Sequence, residues 1–348
     1  MSLEPAASEP HSGRRLMLID ELLSRYGLGR VGEVEPVADS VLSENYRVNT
    51  SGGPHFLRLH KKSRTLERIA GEYALLRWAG ERGIAVVPPL ADPGGKVIHR
   101  IEGRFVSLFP WVEGKTIEAA SATADDARRL GSVHGRVAAV IAGYESPWLE
   151  TERQYPRWET EASIAALSRI DDLIRYYPAP PADQLRVQQR IRFQLEHLES
   201  PEARPLTDFA GLHRQACFGD FHERQVLFGE DGSLVAVVDW EGLAWAPPSW
   251  ELLRAVTLSG MLGQELLRAY LGAYREHAPI RGGEAGLAVE CWWQTLVHDT
   301  WSLTTRFIEG DRRPERFFAS EESHLHLFAD RSYRSWLAGE LRLAAAEG

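Results

Sequence analysis

Cys217-Phe218-Gly219-Asp220-Phe221-His222-Glu223-Arg224-Gln225-Val226-Leu227-Phe228, followed by Val237-Val238-Asp239-Trp240-Glu241, is the stretch on which the reading of this chain turns. An acid, Asp220, sits on a loop, and five residues later an amide, Gln225, opens a strand. Gly229-Glu230-Asp231-Gly232 carries the Asp-Gly turn signal, and the returning strand Leu234 to Val238 closes on a second acid, Asp239. Hairpin geometry brings Gln225 and Asp239 to the same end. A carboxylate and an amide oxygen placed in this way are hard ligands that suit Mg²⁺ on a triphosphate. Asp220, just ahead of them, is placed to accept a proton from an attacking hydroxyl.

Upstream, the pattern is that of a small sheet with one helix. After an amphipathic stretch bearing Leu16, Leu18, Ile19, Leu22 and Leu23, the run Tyr46, Val48, Thr50 alternates with polar residues. Ser51-Gly52-Gly53-Pro54 turns it, and His55 to His60 returns as a second strand. Leu66, Ile69, Ala70, Tyr73 and Leu76 recur at helical spacing, with Gly83 as a stop. Val86-Val87-Pro88-Pro89 reads as extended, Asp92-Pro93-Gly94-Gly95 turns the chain, and 96–99 and 104–109 read as two further strands after it. Beyond Gly114 the periodicity becomes helical over 123–142, 157–176, 183–199, 249–277, 284–307 and 332–346, with one hairpin between. The expectation is an α+β, bilobal chain. It has a polar start over 1–15 that is disordered, a sheet-rich lobe over 16–111 and a helical lobe over 112–348 that holds the hairpin.

Composition narrows the function. At 348 residues the chain can bury a large core, and a net charge of -9 offers no basic field for nucleic acid. Cys217 and Cys291 are too few for a disulfide framework and have no zinc-ligand spacing, so both read as reduced thiols. No apolar run has the length of a membrane span and the start is unlike a signal peptide, which leads us to expect a cytoplasmic protein with no membrane partner.

The quoted stretch resembles the signature H-G-D-x-H-x-x-N, then a strand pair ending in I-D-[WF], of the aminoglycoside phosphotransferase and choline kinase superfamily. Gly242-Leu243-Ala244-Trp245-Ala246-Pro247-Pro248-Ser249-Trp250-Glu251-Leu252 is similar to its G-x-P-x-x-D-L segment, with Glu251 where Asp is usual. Ser43-Glu44-Asn45-Tyr46-Arg47-Val48 looks like its S-x-N-y-x-V stretch. The resemblance implies a protein-kinase-like fold that uses ATP and Mg²⁺ to phosphorylate a hydroxyl of a small molecule: an aminoglycoside, an amino-alcohol, homoserine or a sugar-like compound. It assigns Asp220 as catalytic base and Gln225 and Asp239 as metal ligands. Ser43 and Asn45 fall in the phosphate-covering loop, Arg58 at the position of the phosphate-binding Lys, and Glu72 at that of its helix partner. Phe109-Pro110-Trp111-Val112 reads as the hinge, with the Pro110 carbonyl and Val112 N–H turned to adenine.

Phe218, Gln225 and Arg58 depart from the family pattern of His, Asn and Lys. Gln keeps the amide oxygen on a longer arm, and Arg keeps the charge with a different geometry. Phe218 removes the His that normally anchors the catalytic loop. These departures keep open the alternative of a catalytically weak nucleotide-binding regulatory protein; a protein Ser/Thr kinase of the same superfamily is a third reading, independent of them. His222 reads as a histidine bracing the loop. His324-x-His326 lacks a third ligand and reads as two exposed helix-flank residues, and Trp292-Trp293 reads first as core. Glu72 has a plainer partner in Arg68, four residues earlier on its helix.

Overall fold

The computed structural model describes residues 11–37, 43–176 and 181–347. The chain divides into two compact units, 1–115 with 228–238, and 116–227 with 239–348. In the first, helix α1 (His11–Ser24) precedes β1 (Val31–Pro36), β2 (Glu44–Thr50) and β3 (Gly53–Leu59). Helix α2 (Leu66–Glu81), β4 (His99–Ile101) and β5 (Arg104–Pro110) follow. The five strands form one antiparallel sheet in the order β1-β2-β3-β5-β4. The alternation of β3 decides its face: His55, Leu57 and Leu59 are buried while Phe56 and Arg58 are half-buried on the other side. Ile19, Leu22 and Leu23 of α1 pack with Val48, Leu57, Leu59, Val106 and Leu108 into one core, as the spacing of the apolar residues implies. The expected disordered start falls mostly on residues 1–10, outside the described residues, while 11–15 open α1.

Thr65 caps α2, its side chain accepting from Arg68 N, and Gly83 (φ +84°) turns the chain out of the helix, so the stop read at Gly83 acts where it stands. Strand structure before the turn at Glu102-Gly103 starts only at His99, later than the sequence reading of 96. The hairpin differs more. Residues 228–238 belong to this first unit, where Lys115 and Phe228 exchange backbone hydrogen bonds and Val237 N donates to Ala85 O at 2.7 Å.

The second unit is mainly helical: α3 (Ala124–Ile141), α4 (Pro147–Glu152), α5 (Thr160–Ile174) and α6 (Pro181–Leu198) lead to β6 (Gln215–Cys217). The chain then forms β7 (Val226–Phe228) and β8 (Leu234–Val237), which pair as the expected hairpin, and β9 (Ala244–Ala246), which pairs with β6. Helices α7 (Pro248–Leu258), α8 (Gln264–Arg275), α9 (Ala285–His298), α10 (Trp301–Phe307), α11 (Phe318–Ala329) and α12 (Arg331–Ala346) complete it. The single segment expected over 249–277 is two helices, because Gly260 takes φ +68° and ends the first turnwise. That over 284–307 breaks at Asp299-Thr300, where Asp299 accepts from Trp301 N and starts a new helix. Helices α3 and α8 cross closely. A Cβ on Gly131 or Gly135 would lie 2.3 or 2.4 Å from the Tyr270 or Tyr274 carbonyl oxygen, so the contact needs glycine at both positions. Trp292 and Trp293 are buried, Trp292 Nε1 donating to Thr257 Oγ1, which makes them core residues.

Candidate active site

Asp220 and the residues after Asp239 meet in the second unit through two glycines. Gly219 has φ +83°, and a Cβ there would lie 2.0 Å from the Gly242 carbonyl oxygen. A Cβ on Gly242 would in turn lie 2.7 Å from the Cβ of Asp220. No side chain larger than hydrogen fits either position, so the two loops interlock and hold the acid between them. Below the loop, Phe218 meets Phe221 and Trp240 edge to face, with ring centroids 5.7 and 4.9 Å apart. Phe221 stacks on His134 at 4.2 Å. The Phe that replaces the motif His therefore anchors by packing where His would anchor by hydrogen bonding.

Helix α7 supplies the polar anchors. Glu251, 1% exposed, accepts a short hydrogen bond from the Gly219 backbone N–H. It fills the place the sequence marked for Asp, and its longer arm still reaches the loop. Three residues on, Arg254 Nη2 donates to Asp220 Oδ1 at 2.5 Å. Burial works against the Arg254 charge, but the Asp220 carboxylate, helped by Asp299 and Glu251, outweighs it and raises the guanidinium above its ordinary value. Arg254 was not singled out by sequence reasoning. Its one signal is the i, i+3 spacing from Glu251, which places both side chains on one helix face.

Asp239 takes a left-handed backbone, φ 59° and ψ 60°, two residues past the end of β8. Outside glycine such a conformation costs about 1–2 kcal/mol, and Asp is among the few residues that tolerate it. Residues held this way cluster where function needs a particular aim. Gln225 closes the 3-10 turn that follows Asp220. His222 Nδ1 accepts from the Arg224 backbone N–H at 3.3 Å, and its Nε2 lies 3.1 Å from the Gln225 side-chain amide. Both contacts fall on the turn that His222 opens, in keeping with the bracing role read from the sequence. Among the described residues no group of three or more His, Cys, Asp or Glu could hold a metal by itself, His324-x-His326 included. One carboxylate with one amide oxygen fits magnesium, which keeps water and phosphate oxygens in most of its octahedral positions.

In the first unit, Asn45 stands directly across from Arg58 in the β2–β3 register, and Arg58 across from Ser107 in β5. The Arg58 guanidinium lies 5.4 Å from the Phe56 ring centroid and 5.9 Å from that of Phe109. Ser43, buried, immediately precedes β2. Glu72, 2% exposed, is held by two arginines: a short pair with buried Arg64, and Arg68 Nε at 3.3 Å. The Arg68 contact is the i, i+4 pair that helical spacing implies; Arg64, on the turn before α2, was not foreseen. Pro110 ends β5 opposite His55, and Val112 follows Trp111, whose ring carries the Arg47 guanidinium at 4.8 Å.

A cavity of about 400 Å³ opens in the second unit beside Trp158, lined also by Arg157, Glu159, Ser163 and Thr300. Two connections tie its wall to the loops around Asp220. Tyr155 N donates to Trp245 O at 3.0 Å and Arg153 Nε to Leu243 O at 2.8 Å, just after Gly242. On the other side Thr300 follows Asp299, whose charge acts on Arg254. Arg157 donates to the Gln154 and Glu152 carbonyls, whereas Glu159 has no ion-pair partner among the described residues.

Comparison with known proteins is consistent with this arrangement. The chain is 27% identical over 97 residues to a homoserine kinase of Phenylobacterium zucineum, a match covering 28% of this chain and 30% of that protein. A homoserine kinase of Janthinobacterium sp. is 21% identical over 287 residues, 80% of each chain. Among solved structures, spectinomycin phosphotransferase APH(9)-Ia, in complex with ADP and spectinomycin, has a TM-score of 0.66 at 14% identity, covering 93% of this chain and 98% of that one. That likeness establishes the protein-kinase-like α+β fold. The match to the first of these homoserine kinases spans about a third of its length, but the model of the phosphotransferase enzyme family runs over residues 33–285, which include the sheet and the Asp220 loop, and the chain belongs to that family.

Proposed function

We propose that the protein is an ATP-dependent kinase that transfers the γ-phosphoryl group to a hydroxyl of a small, amine-bearing molecule. The observation that carries this reading is the interlock of Gly219 with Gly242, which sets Asp220 against the loop leaving Asp239. Asp220 accepts the proton of the acceptor hydroxyl. The hydroxyl oxygen bonds to the γ-phosphorus as the bond to the bridging oxygen breaks, and ADP departs. Asp239 and the Gln225 oxygen hold Mg²⁺, which neutralises charge on the phosphates. Ser43, Asn45 and Arg58 contact the phosphates, Glu72 steadies the helix beside them, and Pro110 with Val112 meets adenine.

The acceptor side rests on the cavity beside Trp158. Its unpaired carboxylate, Glu159, suits an ammonium group, and the indole face adds cation–π attraction of roughly 0.5 to 2 kcal/mol. Hydroxyls of Ser163 and Thr300 suit a polyol or amino-alcohol. The homoserine kinases among its relatives point in the same direction.

The test is a panel of amino-alcohols, homoserine, aminoglycosides and anionic hydroxy acids, assayed together for acceptor-dependent ADP release with Mg-ATP. Phosphorylation of an amine-bearing member is expected, and Glu159→Gln should raise its KM. Selective phosphorylation of the anionic members would overturn the acceptor reading, and no turnover with any member, together with no Mg²⁺-dependent nucleotide binding, would overturn the kinase reading itself.

A further inference from the structure

Helix α7 grips two consecutive residues of the catalytic loop with two side chains one turn apart. Glu251 takes the Gly219 backbone N–H, and Arg254 takes Asp220 Oδ1. The second contact is not accounted for by the needs of the fold. Arg254 leaves its Nε buried with no hydrogen-bond partner among the described residues, so the guanidinium is turned to the Asp220 carboxylate at the expense of its own hydrogen bonding. Trp250, one turn earlier, places its ring 5.9 Å from the guanidinium and limits its swing. On the loop side, Phe218 can pack but cannot hydrogen-bond, so the Arg254 contact is the hydrogen bond that fixes the Asp220 side chain among the described residues.

We infer that Arg254 is a positioning residue, holding Asp220 by one carboxylate oxygen so that the other faces the acceptor hydroxyl. The inference rests on the reading of Asp220 as proton acceptor. An arginine does this better than a lysine because its planar fork fixes the angle as well as the distance. It also supplies what the family's loop histidine would have supplied, from a different element.

The test is a double-mutant cycle in the full chain, with Mg-ATP and the acceptor that the panel selects. Arg254→Met should lower kcat about 100-fold, the scale set by misplacing a catalytic group by about 1 Å, with the KM for ATP unchanged. Arg254→Lys should recover about tenfold of that, since it restores charge without the fork. In an Asp220→Asn background, Arg254→Met should cost nothing further, because the two act as one unit. Wild-type turnover by Asp220→Asn sinks the reading on which the inference rests. A large loss in Asp220→Asn, with Arg254→Met either harmless or fully additive, overturns the inference alone. Should Arg254→Met fail to fold, Arg254→Lys decides: an undiminished kcat overturns the role.

Discussion

Gly242 lies against Asp220 so closely that a Cβ on it would come within 2.7 Å of the Asp220 Cβ and 3.0 Å of both the Asp220 N and the Phe218 carbonyl oxygen. Backbone atoms cannot yield as a flexible side chain end can. Gly242→Ala should therefore push the Asp220 loop away, costing about 1–3 kcal/mol in stability through overpacking. The loss in kcat should be larger in proportion, about 100-fold, because a displaced Asp220 misaims its oxygen. Urea denaturation beside steady-state kinetics measures both. Unchanged kcat in a destabilised variant would show that the contact serves folding alone.

Asp239 separates stability from function in the opposite direction. Its backbone sits at φ 59°, where glycine is at ease and alanine is not. Asp239→Gly and Asp239→Ala remove the same carboxylate, so both should abolish Mg²⁺-dependent nucleotide binding. The alanine variant should nonetheless unfold more readily, by about 1–2 kcal/mol. Calorimetry with Mg-ATP and thermal melts of the two variants provide the comparison. Equal nucleotide affinity in both variants and the parent would remove Asp239 from the metal site.

What the sequence made legible follows a physical divide. The hairpin after the 217–228 stretch could be read because it depends on spacing along one loop and one turn. The stop at Gly83 was legible because it acts within a turn of its own position. Arg254 could not be read so, since its partner is 34 residues away and the meeting depends on how α7 crosses the loop. Arg64 was hidden because it precedes its helix, whereas Arg68, four residues from Glu72, was in view. Helix α11 escaped because only Leu325 and Phe328 of its residues are fully buried, too few to set a period. The pairing of residues 228–238 with Lys115 and Ala85 is likewise long-range, so their place in the first unit had no local signal.

The α3–α8 crossing separates glycines that are needed from one that is not. Gly131→Ala and Gly135→Ala drive a methyl onto the Tyr270 and Tyr274 carbonyls, which belong to α8 and cannot retreat without moving the helix. Each should cost about 1–3 kcal/mol or more. Gly272, on α8 itself, would place a Cβ with nothing within 4 Å. Gly272→Ala should stabilise the protein by up to about 1 kcal/mol, because alanine is the better helix former and restricts the unfolded chain. Urea midpoints of the three variants test this, and a stabilised Gly131→Ala would mean that the helices do not cross here.

His298 makes the cavity wall sensitive to acid. Its Nδ1–H donates to the Gln294 carbonyl at 2.7 Å, and its Nε2 accepts from Thr160 Oγ1 at 3.0 Å, so both ring nitrogens are satisfied in the neutral form. Burial drives its pKa down from 6.5 to about 4; the bond to Gln294 resists this and the nearby His197 adds to it. A folded-state pKa below the unfolded value means that the unfolded chain takes up the proton first. The contribution of neutral His298 to stability is therefore whole above pH about 6.5 and is lost as pH falls toward 4. At 1.36 kcal/mol per unit the loss is on the order of 3 kcal/mol. The ring also stacks on Trp158, centroids 5.1 Å apart, so a proton here disturbs the indole that lines the cavity. Stability measured by urea unfolding should fall between pH 6.5 and 4, and His298→Gln, which cannot take up a proton, should flatten that part of the slope while lowering stability at pH 7. A slope the same in both proteins would assign the acid sensitivity to other groups, His197 first, since burial lowers its pKa as well.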